Sequence, residues 1–171
     1  MTPPSPVCYS ADEIRRLLPH RHPFSLLDRV EEVIAGRSGT GIKNITISDP
    51  VFSGHFPDRA IYPGVLLIEI AGQTAGIVQQ APAPDGHARA GGDVRADAAD
   101  GPGPAAMMGV LGRVKRFTFH HPVVPGDVLA CHVACRTVFG DMFEYGARLT
   151  VGSRLVAEGT VAVVMQPGES A

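Results

Sequence analysis

The chain has 171 residues and a formal net charge of −2, and a single domain is expected, since domains cluster around roughly 100–150 residues. Hydrophobic residues make up 44% and charged residues 19%, enough for a packed core and too apolar for a chain disordered throughout. Near-neutral charge argues against nucleic acid as a partner, which needs a basic excess, and no apolar run reaches the roughly 18 residues of a membrane span.

Residues 1–9 read as a flexible tail. They carry three prolines and no basic-then-apolar pattern, so no signal peptide is expected. Ser10-Ala-Asp-Glu13 has the form of a capping box opening a short helix whose apolar face is Ile14, Leu17 and Leu18. Pro19 ends it. Strands are expected over Leu26–Val33 and Gly39–Ser48, the second with Ile45 and Ile47 on one face. Pro50 to Pro63 is a turn-rich loop containing Gly54-His55-Phe56-Pro57. Val65–Gln80 reads as a helix, too long for most strands and apolar nearly all round, so buried on every side. Its small residues Ala71, Gly72, Ala75 and Gly76 allow a neighbour to approach closely.

Glycine (20) and proline (15) together form about a fifth of the chain, against roughly 12% in average usage. The excess peaks in Ala81–Ala106, which has one large aliphatic residue, Val94. Such a stretch cannot bury enough apolar area to offset its ordering entropy, so a mobile insert is expected there. Met107–Leu111, Arg113–Phe119, Asp127–Phe139, Met142–Val151 and Arg154–Met165 read as consecutive strands separated by turn signals. The apolar helix must pack on them. The expectation is one α+β domain over residues 10–167, a long buried helix against an antiparallel sheet.

Three positions could carry chemistry. Glu69 is the only charged residue between Val65 and Gln80. It either occupies the one wet face of the helix or is buried, and burial favours the neutral acid that a proton donor needs. His55 sits in a tight loop between Gly, Phe and Pro, either as an ordinary loop histidine or as a group that takes a proton near neutrality. Gly64 opens the helix, as a simple cap or as a place where backbone N–H groups polarise a carbonyl oxygen. Base, acid and carbonyl-polarising donor are what β-elimination beside a carbonyl requires. Cys8, Cys131 and Cys135 form an odd set without a disulfide framework, which fits a reduced, cytoplasmic protein. Cys131 and Cys135 lack zinc spacing and read as strand packing. His120-His121, and His20 with His22 around Arg21, read as structural.

Leu18-Pro-His-Arg-His-Pro-Phe24, Leu27-Asp-Arg29, Lys43-Asn44, Gly54-His-Phe-Pro57, Ile61-Tyr-Pro-Gly-Val65, Ile68-Glu69 with Gln73, and Pro122-Val-Val-Pro-Gly-Asp127 occur in this order. The set closely resembles the (3R)-hydroxyacyl-acyl carrier protein dehydratases of bacterial fatty acid synthesis, over about residues 14–80 and 107–165. The resemblance implies a hotdog fold, a curved antiparallel sheet around a central helix, and a homodimer, with a trimer of dimers common in the family. It implies that His55 is the catalytic histidine and that Glu69 is the catalytic glutamate, reaching the histidine of the other protomer. It implies substrate binding through Gly64, whose N–H holds the thioester carbonyl, with Phe56 and Gln73 beside the catalytic pair. No metal or cofactor is implied. The substrate hangs on the phosphopantetheine of an acyl carrier protein, an acidic partner, and Arg113, Lys115 and Arg116 are the candidate contacts for it.

The sequence departs from the family in the long Ala81–Ala106 link, in Arg113-Val-Lys115 where Gly-Ile-Asp is usual, in His120-His121 where a basic pair is usual, and at Asp58 in place of a common glycine. None touches the catalytic pair. With 13 Arg against two Lys, a mark of a GC-rich genome, they point toward a dehydratase of secondary metabolism, one building a polyketide or polyene. The competing readings are a hotdog acyl thioesterase and a non-catalytic partner subunit of a heterodimer.

Overall fold

The computed structural model describes residues 5–82 and 107–167. Its elements run β1 (Val7–Ser10), α1 (Ala11–Leu17), β2 (Arg29–Ile34), β3 (Ser38–Asn44), a 3-10 turn (Pro50–Ser53), α2 (Gly64–Gln80), β4 (Met107–Phe119), β5 (Val128–Phe139), β6 (Met142–Val151) and β7 (Arg154–Pro167). Nearly all of the expected insert, 83–106, lies outside the described residues.

The capping box at α1 forms through Glu13, whose carboxylate accepts from the Ser10 N–H at 2.7 Å and the Ser10 hydroxyl at 2.6 Å. These bonds, the hydroxyl's first, hold the Glu13 carboxyl below its ordinary range. The tail expected over residues 1–9 is corrected here. Val7 and Tyr9 pair with Val33 and Val30 of β2 as a seventh strand, and Tyr9 packs against the core.

The seven strands form one antiparallel sheet in the order β1-β2-β3-β5-β6-β7-β4. Helix α2 packs against β2, β3, β4, β5, β6 and β7, so the sheet wraps it. Its residues Leu67, Ile70, Ile77 and Val78 are buried among Leu129, Val133, Leu149 and Val161 of the sheet. Burying each such side chain contributes about 1.5–3 kcal/mol, which offsets the weak helix propensity of the glycines. The close approach relies on the sheet as well as the helix. A Cβ on Gly41 of β3 would lie 2.2 Å from Thr74 Oγ1 and 2.9 Å from Leu27 Cδ2.

Three boundaries differ from expectation for identifiable reasons. The strand expected from Leu26 starts at Arg29, because the Leu26 N–H donates to Gln73 Oε1 at 3.1 Å instead of to a neighbouring strand. The strand expected through Ser48 ends at Asn44. A turn then closes with Asp49 N–H donating to the Thr46 carbonyl, so Ile45 is 3% exposed while Ile47 is 67% exposed, and the two do not share a face. Finally, the two strands expected either side of Gly112 are one strand of 13 residues, β4. Its ladder with β7 skips Gly112, where a Cβ would stand 2.8 Å from Val164 Cγ2. The glycine accommodates Val164 without ending the strand.

Candidate active site

His55 follows the 3-10 turn. Its N–H donates to the Val51 carbonyl at 3.0 Å, and its own carbonyl accepts from Ile61 N–H at 3.2 Å. Phe56 and Arg59 exchange backbone hydrogen bonds at 3.1 Å, which closes the loop. The His55 ring stacks on Phe56 with centroids 4.0 Å apart. Its Nδ1 lies 2.8 Å from the Ile61 carbonyl oxygen. A carbonyl only accepts, so Nδ1 carries a proton, and a neutral His55 presents its lone pair at Nε2. The loop thereby fixes the tautomer of the neutral imidazole.

Gly64 is the first residue of α2, after Pro63 at the N-cap. A Cβ there would lie 3.1 Å from Phe119 Cε1 of β4. The absent side chain therefore leaves room for the Phe119 ring against the start of the helix, whose first N–H groups have no partner within it.

Glu69 lies on the same helix, its side chain 18% exposed. It opens onto a pocket of about 240 Å³ between α2, β4 and the 18–24 loop, with Leu18, Phe24, Leu111 and Val163 as apolar walls. Gln73, one turn later and 2% exposed, holds it. The Gln73 Oε1 accepts from Leu26 N–H, which fixes the amide orientation. The Nε2 then donates to the Phe24 carbonyl and to Glu69 Oε1, both at 2.8 Å. In the acid form of Glu69, Oε1 is therefore the accepting oxygen and the proton resides on Oε2. Within the chain, His55 and Glu69 share no hydrogen bond or ion pair among the described residues, and His55 does not line the pocket.

The FabA-like domain model matches residues 18–162, a span holding the His55 loop, the Gly64 helix start and the Glu69–Gln73 pair. Curated relatives named 3-hydroxyacyl-acyl-carrier-protein dehydratase FabZ include those of Agrobacterium fabrum, 37% identical over 91% of this chain and 88% of that one, and Cereibacter sphaeroides, 35% identical over 96% and 97%. The chain belongs to the FabZ dehydratase family. Solved structures agree on the fold. The dehydratase heterocomplex ApeI:P from Xenorhabdus doucetiae is similar with a TM-score of 0.64 and 16% identity, covering 91% of each chain. A hypothetical thioesterase with coenzyme A from Streptococcus pneumoniae is similar with a TM-score of 0.53 and 12% identity, covering 82% of this chain and 87% of that one. The hotdog architecture inferred for a FabZ-type chain is the one observed.

Other expected FabZ positions fall into place unequally. Phe56 is exposed beside His55. Gln73, expected beside the catalytic pair, has its amide committed to Glu69, Phe24 and Leu26. Arg113, Lys115 and Arg116 are exposed on β4, but Lys115 donates to Glu144 Oε2 at 2.5 Å and its charge is already matched. Arg116 sits at a break in the β4–β7 ladder with φ of 48°. Two residues escaped sequence reasoning. Phe119, which follows that break, lies against the start of α2. His20, read as structural, lies with Nε2 3.4 Å from Glu69 Oε1; the proline-bounded motif around it was the available signal.

Proposed function

We propose that the chain removes water from (3R)-3-hydroxyacyl thioesters carried on acyl carrier protein, giving trans-2-enoyl thioesters, with His55 as base and Glu69 as acid. His55 Nε2 takes the proton at the α-carbon. The electron pair forms the α–β double bond as the bond from the β-carbon to the hydroxyl breaks. Glu69 Oε2 gives its proton to the departing hydroxyl, which leaves as water. The Gly64 N–H donates to the thioester oxygen as negative charge builds there. No cofactor enters the reaction so written, and acid–base groups of this kind contribute on the order of 10²–10⁴-fold each.

The observation that carries the proposal is the held acid. Gln73 occupies Oε1 of a carboxyl set in an apolar pocket, leaving Oε2 for proton delivery. The pocket's walls suit an acyl chain. Because His55 and Glu69 do not meet within one chain, the reading includes a homodimer in which each site joins one copy's His55 to the other's Glu69. It includes a cytoplasmic setting and chain building toward a fatty acid or polyketide; among the described residues no helix is long and apolar enough to cross a membrane. The test is mass spectrometry of carrier-bound 3-hydroxyacyl chains of several lengths. Loss of one water from the acyl group supports the proposal; release of free thiol and acid without enoyl product supports a thioesterase instead.

A further inference from the structure

We infer that His20 is a positioning residue for the Glu69 carboxyl, sharing Oε1 with Gln73 and supporting the charge Glu69 acquires once its proton has left. This inference rests on the proposed dehydration.

The geometry places one imidazole atom at the acid and commits the rest of the ring to no other polar group. His20 Nε2 lies 3.4 Å from Glu69 Oε1, and the His20 side chain is 24% exposed. The opposite atom, Nδ1, is buried without a hydrogen-bond partner. A buried polar atom left unpaired is unfavourable and calls for a reason. A phenyl or aliphatic side chain would fill the same space without that cost, so packing against Phe24 (ring centroids 6.3 Å apart, planes 22° apart) does not account for an imidazole here. The Nε2 contact does.

The loop that carries the ring is also held in place. Arg21 Nη1 donates to the Leu18 and His20 carbonyls at 2.9 Å, and Phe24 N–H donates back to the Arg21 carbonyl at 2.7 Å. Gln73 then ties both Phe24 and Leu26 to α2. One glutamine amide thus clamps the loop that carries His20 and the carboxyl that His20 faces.

The consequence concerns rate more than binding. An N–H donor facing a neutral carboxyl is weakly held; the same donor facing a carboxylate makes a charge-assisted contact about twice as strong. Glu69 passes from the first state toward the second as it protonates the departing hydroxyl. The His20 contact therefore strengthens along the reaction coordinate, which raises kcat and leaves substrate binding nearly unchanged.

The test compares His20→Phe, which keeps the stacking volume and removes the donor, with His20→Gln, which restores an N–H. Carrier-bound 3-hydroxyacyl substrate is used, with thermal melts and size-exclusion profiles confirming fold and assembly. His20→Phe is expected to lower kcat by roughly 10–100-fold with KM within about twofold, and His20→Gln to recover most of the loss. Wild-type kcat in His20→Phe overturns the inference, as does an equal loss in both variants. If His20→Phe does not fold, the imidazole ¹⁵N resonances of His20 in the otherwise native chain decide. Glu69→Gln should shift Nε2, and an unmoved resonance overturns the contact. A wild-type chain that dehydrates nothing defeats the proposed function itself, whereas a wild type that works, fails on Glu69→Gln and ignores His20→Phe defeats only this inference.

Discussion

Replacing Gln73 with Leu tests the link between the fold and the acid. Gln73 is 2% exposed and makes three hydrogen bonds, from Leu26 N–H at 3.1 Å and to the Phe24 carbonyl and Glu69 Oε1 at 2.8 Å. Leucine fills a similar volume, so the cavity term is small. What remains is a buried backbone donor and a part-buried acceptor left unpaired, at about 1–3 kcal/mol each, for a total of about 2–6 kcal/mol. For a chain of this size that corresponds to a fall in Tm of roughly 4–24 °C. Denaturant unfolding at fixed protomer concentration measures it, because dissociation of the proposed homodimer makes stability concentration-dependent. The turnover of the folded variant should fall as well, since Glu69 loses the donor that directs its proton to Oε2. A Gln73→Leu chain within about 0.5 kcal/mol of wild type, or one with native turnover, would refute the reasoning.

Gly41→Ala should destabilise by about 1–3 kcal/mol through overpacking, because its Cβ would meet Thr74 Oγ1 at 2.2 Å; a melting temperature equal to wild type would contradict that packing. In the native protein a thiol reagent should label Cys8, which is exposed, and spare Cys131, whose thiol is buried and pushed up to about 12 by desolvation; mass analysis of labelled peptides reads this directly, and rapid native labelling of Cys131 would count against its burial. Gln80, with its amide turned to donate, reaches the Leu17 carbonyl at 2.9 Å and the Met107 carbonyl at 3.2 Å, so both ends of the 83–106 link start close together. Replacing residues 84–104 with a short Gly-Ser link should leave folding and dehydration of short acyl chains intact, and loss of folding would show that the composition of this link had been misjudged.

Much of the architecture was legible because its signals are local. The capping box needs only Ser10 and Glu13, and α2 announces itself as a long apolar run with glycines but no strand breaks. The settings of Glu69 and His55 were legible, a lone carboxyl in an apolar helix and an imidazole in a constrained loop. Their union was not, since nothing in the spacing from 55 to 69 brings them together, and the folded chain does not pair them either. The misread details depend on distant partners. Leu26 leaves the strand because Gln73, 47 residues away, takes its N–H. Gly112 reads as a break until Val164 is seen crossing it. His20 looked like a loop histidine because its partner, Glu69, lies on another element.

In the proposed mechanism, dehydration runs through His55 of one copy and Glu69 of the other. Complementation between His55→Ala and Glu69→Gln tests it most directly. Each variant alone should form dimers and produce no enoyl product. Co-expressed, they should regain about a quarter of wild-type turnover per chain, since half of randomly paired dimers are mixed and each holds one intact site of two. Enoyl product from either variant alone, or none from verified mixed dimers, would contradict the claim.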